Sequence, residues 1–187
     1  MPAHEQHKTP EGFWKKITSD AGYYPPRIKS IFFLPLYIFY LLLLVPGFQL
    51  ALSVRLQEVF GKIPLLGKLL RRVLWYVTTI YFGSEIDIKA TIGSGIYMPH
   101  PYGIVIGGEC VIGKNVSINQ NVTLGRRDSD ETGDPIIGDN VAINSGAVIV
   151  GAIKVGNHAK IGANSVVLKD VPDHATAVGV PAHIVSK

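Results

Sequence analysis

The sequence predicts a left-handed parallel β-helix of hexapeptide repeats, preceded by an α-helical N-terminal region. Three observations carry this. An aliphatic residue followed by glycine recurs from residue 92 onward, six-residue intervals run without a slip after residue 137, and the stretch before residue 83 is apolar with roughly helical spacing.

The pairs are Ile92-Gly93, Ile106-Gly107, Ile112-Gly113, Leu124-Gly125, Ile137-Gly138, Val155-Gly156 and Ile161-Gly162. Hexads start at 106, 112 and 118, and a second series starts at 137, 143, 149, 155, 161 and 167. A small residue or Val tends to sit four places into each hexad, as at Cys110, Val116, Val122, Val141, Ala147, Ile153, Ala159 and Ser165. Three hexads make one triangular coil with aliphatic residues stacked inward, and the Gly, Asn and Asp between them supply turns that need positive φ. A β-sandwich would instead recur every 8–12 residues or so with variable loops.

The N-terminal part reads as a polar segment over 1–28 and a helical region over 29–82, with the β-helix over 83–187. Residues 48–80 predict two amphipathic helices broken near Gly61 to Pro64. Ile31 to Val45 is uncharged for fifteen residues, short of the roughly 20 that a spanning helix needs. Residues 29–54 are therefore expected either to contact the membrane or to pack as a buried or trimer-packing helix.

Ten Lys/Arg face four Asp/Glu in residues 1–80, against eight and ten in 81–187. A basic part beside an apolar one suits an anionic membrane surface, and no basic stripe interleaved with aromatics points to nucleic acid. One cysteine, Cys110, excludes an intramolecular disulfide and a multi-cysteine metal site. The apolar run begins too far into the chain for a signal peptide, so the expected location is cytoplasmic, with or without attachment to the inner face of the membrane.

Two interruptions break the repeat: two extra residues between 92 and 106, and one between 124 and 137, where the polar run RRDSDETGD lies. Such irregularities mark the functional face. His100 lies in the first, between Pro99 and Pro101, which restrict the backbone around it. Imidazole titrates near neutrality and suits a general base that deprotonates a hydroxyl. Glu85, fifteen residues upstream, could orient that imidazole and stabilise its charged form, and Asp87 is the competing carboxylate. Tyr102 and Asp134, one in each interruption, are the candidate acceptor contacts.

The stretches GSEIDIKATIGSGIYMPHPYGIVIGGECVIGKNVSINQNVTLG and VGAIKVGNHAKIGANSVVLKDVPDHATAVGVPAHIV resemble the serine O-acetyltransferase family of hexapeptide transferases, over about 83–185. The resemblance implies a homotrimer with acetyl-coenzyme A between adjacent β-helices, His100 as general base, and Glu85 where the family has aspartate. It also implies a coenzyme site near Gly125, Arg126, Ser145, Ala163 and Lys169, with no metal.

Serine-specific members have Asp where this chain has Pro99, and Arg-His where it has Gly133-Asp134. A zwitterionic acceptor loses affinity without its charged partners, so these departures predict a sugar or lipid-linked oligosaccharide acceptor. The expected branch is the exopolysaccharide and capsule acetyltransferases, similar to colanic acid acetyltransferases. The alternatives are serine O-acetylation in cysteine synthesis and a non-catalytic trimeric scaffold.

Overall fold

The computed structural model describes residues 11–25, 31–128, 130 and 132–185. It shows a left-handed parallel β-helix whose fourteen short strands form three faces, with four α-helices before it. The first face stacks β1 (Glu85–Ile86), β3 (Val105–Ile106), β6 (Thr123–Gly125), β9 (Val148–Val150) and β12 (Val166–Val167). The second stacks β2 (Thr91–Ile92), β4 (Val111–Ile112), β7 (Ile136–Ile137) and β10 (Lys154–Val155). The third stacks β5 (Ser117–Ile118), β8 (Ala142–Ile143), β11 (Lys160–Ile161) and β13 (Thr176–Gly179), and is closed by antiparallel β14 (Ala182–Val185).

The aliphatic leads of the hexads are what the interior is made of. Ile86, Ile106, Leu124, Ile149 and Val167 stack inside the first face, and Ile92, Ile112, Ile137 and Val155 inside the second. The fourth places on are buried as well, except Ile153, which is only half-buried. Corners are made by left-handed residues, Asn115, Asn140, His158 and His174 among them. Gly103 shows why some must be glycine: its φ is 69°, and a Cβ there would meet Asn121 Oδ1 at 2.2 Å.

The first interruption has the size read from the sequence, since Val105 pairs with Glu85 across 20 residues, two more than the 18 between Val105 and Thr123. The second is larger. Val111 pairs with Ile136, 25 residues on, so the polar run is a seven-residue excursion from an 18-residue coil. A slip of seven and a slip of one look alike in a period of six.

The N-terminal helices are α1 (Phe13–Ala21), α2 (Leu34–Leu44), α3 (Pro46–Phe60) and α4 (Leu66–Phe82). Residues 1–10 and 26–28 of the segment expected to be polar, and 29–30 of the region expected to be helical, lie outside the described residues. What is described of that segment is not merely polar, because Ile17, Ala21 and Tyr24 form a core with Tyr37, Leu41 and Phe48. No single helix among the described residues is long and apolar enough to cross a membrane.

The open end of the β-helix is sealed by one charged cluster. Arg55 of α3 is fully buried and donates from Nε to Asp20 Oδ2 at 2.9 Å, while its Nη atoms donate to the carbonyls of Ile92 at 2.8 Å and Gly93 at 2.6 Å. Asp20 in turn accepts the backbone N–H of Gly95 at 2.7 Å and of Ile96 at 3.0 Å. Burial alone would lower the Arg55 pKa, but Asp20 and Glu58 more than offset it and keep the guanidinium charged. The backbone groups of the first coil thereby gain the partners that the next coil would have supplied.

Removing one member strands the other in a dry site, so Asp20→Asn and Arg55→Ala should each cost about 3–5 kcal/mol in urea unfolding. Stability within about 0.5 kcal/mol of the native chain would show that water replaces the cluster at no cost.

Candidate active site

The loop carrying His100 is held from three sides by groups outside the repeat. Tyr24 Oη accepts the backbone N–H of Met98 at 3.2 Å. The start of α3 crosses the same residue so closely that a Cβ on Gly47 would lie 2.0 Å from the Met98 carbonyl oxygen. Ser84, buried at the entrance to β1, accepts the N–H of Ile104 at 3.0 Å and donates to the Pro101 carbonyl at 2.8 Å. Within the loop the N–H of Tyr102 donates to the His100 carbonyl at 2.9 Å.

The Ser84 bridge places the two candidate catalytic groups side by side in the chain path. Ser84 and Pro101 are the immediate neighbours of Glu85 and His100, and they are hydrogen-bonded to each other. Both Glu85 and His100 are exposed, and no ion pair joins His100 to Glu85 or Asp87 among the described residues. Asp87 is the poorer partner, because its Oδ1 already accepts the N–H of Lys89 at 2.8 Å.

Above His100, one corner of the helix forms a column. Backbone N–H groups link Asn121 to Tyr102 O, Gly146 to Gln120 O and Asn164 to Ser145 O, at 2.9–3.0 Å. Tyr102, Ser145 and Ala163 therefore recur coil after coil along the edge of the first face that begins at His100. Ser145 Oγ and Gln120 Oε1 are 3.1 Å apart on that edge. Gly125 ends β6, and Arg126 and Lys169 lie just past β6 and β12, at the opposite edge of the same face, where Gly151 N–H donates to Gly125 O at 3.0 Å. Nothing approaches within 4 Å of a Cβ built on Gly125, and Arg126 pairs with Glu109 at 3.3 Å.

Asp134 does not project as an acceptor contact. It is buried, and its Oδ2 accepts the N–H of Glu109 at 2.9 Å, filling the space beside Gly107. Cys110 lies in the same corner, and burial, reinforced by Asp134, pushes its thiol up to about 12. The role of Asp134 was not readable from the sequence, since hexad position says where a side chain points but not which backbone groups lack partners, whereas the burial of Cys110 follows from its hexad place. Ser84 gave no signal either, beyond preceding Glu85.

Comparison with known proteins decides the family. The model of the bacterial transferase hexapeptide family (six repeats) matches residues 134–169. A serine acetyltransferase of Bacillus pumilus is 47% identical over 117 residues, which are 62% of this chain and 54% of that relative. The soybean serine acetyltransferase apoenzyme superposes with a TM-score of 0.77 at 36% identity, over 92% of this chain and 69% of that one. The chain belongs to the serine acetyltransferase family. A further serine acetyltransferase, solved in complex with CoA, superposes with a TM-score of 0.73 at 37% identity, over 92% of this chain and 68% of that one. The chain spans about half the length of the curated relatives it matches.

These findings overturn the expected exopolysaccharide branch and its sugar acceptor. That expectation rested on Pro99 and Asp134 replacing groups that hold serine. The Asp134 carboxylate is committed to the backbone N–H of Glu109, so its presence has a reason within the fold that is independent of any acceptor.

Two predictions follow from the geometry. Ser84→Ala leaves the Ile104 N–H and the Pro101 carbonyl without their buried partner, a loss of about 1–3 kcal/mol, so hydrogen exchange at Ile104 should accelerate roughly tenfold or more with the fold intact. The raised Cys110 pKa contributes stability that is fully present below the unfolded thiol value of about 8.5 and is lost as pH climbs from there toward about 12. An aromatic disulfide reagent should accordingly leave the folded chain unmodified at mildly alkaline pH and react once urea unfolds it.

Proposed function

We propose that this chain transfers the acetyl group of acetyl-coenzyme A to the hydroxyl of serine, with His100 as general base. The observation that carries the reading is the braced His100 loop at the foot of a column of small and polar residues, in a chain of the serine acetyltransferase family. The imidazole removes the serine hydroxyl proton as the oxygen attacks the thioester carbonyl. The tetrahedral adduct then collapses, the C–S bond breaks, and the coenzyme thiolate leaves with the proton that His100 had taken. Glu85 stabilises the imidazolium formed in between. Tyr102, exposed two residues on, borders the acceptor.

Ser145 and Ala163 leave room for the pantetheine arm to run up the edge from His100, and Gly125, half-buried with free space where a Cβ would stand, permits close approach at the other edge. In a homotrimer one copy's His100 edge would stand against the next copy's Gly125 edge, so that both edges line one site with Arg126 and Lys169 on its far side. A cytoplasmic reaction is consistent with acetyl-coenzyme A as donor.

The test is release of free thiol from acetyl-coenzyme A in the presence of serine. His100→Ala should lower kcat by about 10²–10⁴-fold, the usual contribution of a positioned base. Wild-type turnover retained in that variant would remove His100 from the chemistry, and inertness of the native chain toward serine would remove the acceptor assignment.

A further inference from the structure

We infer that the outer surface of α2 is a binding surface for anionic lipid, on which the molecule lies against a membrane without crossing it. The helix is divided lengthwise. Tyr37 and Leu41 are buried against the α1 core, whereas Phe32, Phe33, Leu36, Phe39, Leu43 and Leu44, on and just before α2, are exposed by 53–82%. A soluble helix carries polar side chains on its outer side. Here the outer side has neither a charge nor an amide, and its carbon surface is presented to solvent at the margin of the fold.

The length of α2 decides between spanning and lying flat. Eleven residues at about 1.5 Å each reach about 16 Å, half of a hydrocarbon core of about 30 Å. α3 cannot supply the rest, because it turns from α2 by 100° and holds Arg55 inside the end of the β-helix. A short helix with one apolar side, packed on the protein by the other, fits the headgroup boundary.

Charge decides between a lipid and a second copy of the chain. From Asp20 to Glu85 the sequence has seven Lys/Arg between the two acids and one further acid, Glu58. Glu58 is already paired with Lys16 at 2.8 Å and Arg55 at 2.9 Å. Arg27 and Lys29 stand immediately before the apolar stretch, and Lys62, Lys68 and Arg72 are exposed after it. Two copies meeting through the α2 strip would bring Arg27 and Lys29 no acid from α2, which has none, whereas phosphatidylglycerol headgroups match an apolar strip led in the sequence by two cations. The inference does not depend on which acceptor the enzyme uses.

The experiment is flotation of the full-length protein with phosphatidylcholine vesicles, with and without added phosphatidylglycerol, at low and high salt. The expected result is flotation that needs phosphatidylglycerol, weakens at high salt, and falls by roughly tenfold or more in Phe39→Glu with Leu43→Glu. The paired variant replaces only exposed side chains, and circular dichroism with a melting curve checks its fold; an Arg27→Glu, Lys29→Glu chain should lose the phosphatidylglycerol preference separately. Absence of flotation by the native chain overturns the inference. So does a variant that floats normally, or one that splits a larger assembly into smaller ones in lipid-free buffer, which would assign the surface to a second copy.

Discussion

The Arg55–Asp20 pair is the constraint on which the rest of the molecule depends. A β-helix is cooperative along its axis because each coil satisfies the backbone of the next, and the first coil therefore begins with a deficit. Here the deficit is met by a guanidinium and a carboxylate that are bonded to each other and to four backbone groups of residues 92–96. An apolar lid would cover the same end but leave those groups unpaired. The same helices that deliver the cluster also deliver Tyr24 and Gly47 to Met98, so closing the end of the fold and bracing the His100 loop are one event.

What could be read from the sequence follows from what has a period. Inward aliphatic positions recur every six residues, so the fold and nearly every core residue of the β-helix were legible, down to Cys110 and Ser165 as buried corners. The departure from period at His100 was legible for the same reason. The seven-residue excursion near Asp134 was not, because only its remainder after division by six survives in the pattern. Ser84, Tyr24 and Asp20 were invisible, since each acts by meeting one particular unpaired backbone group and none recurs.

Residue types at two positions predict a binding preference only when both side chains face the ligand. Pro99 and Asp134 are real departures, but Asp134 serves the backbone of Glu109. A substitution speaks about a ligand only if its side chain reaches the ligand. The relation to serine acetyltransferases, spread over 117 residues, is the broader measurement.

The last strand turns back on itself. β13 continues the parallel stack, but β14 returns antiparallel beside it, with Thr176 opposite Val185 and Gly179 opposite Ala182. Parallel coils would otherwise end in a row of open donors and acceptors that another copy could extend. The reversed strand thus ends the parallel stack of the third face, as the α1 and α3 helices cover the first coil at the other end, and a second copy meets no parallel edge to extend on that face.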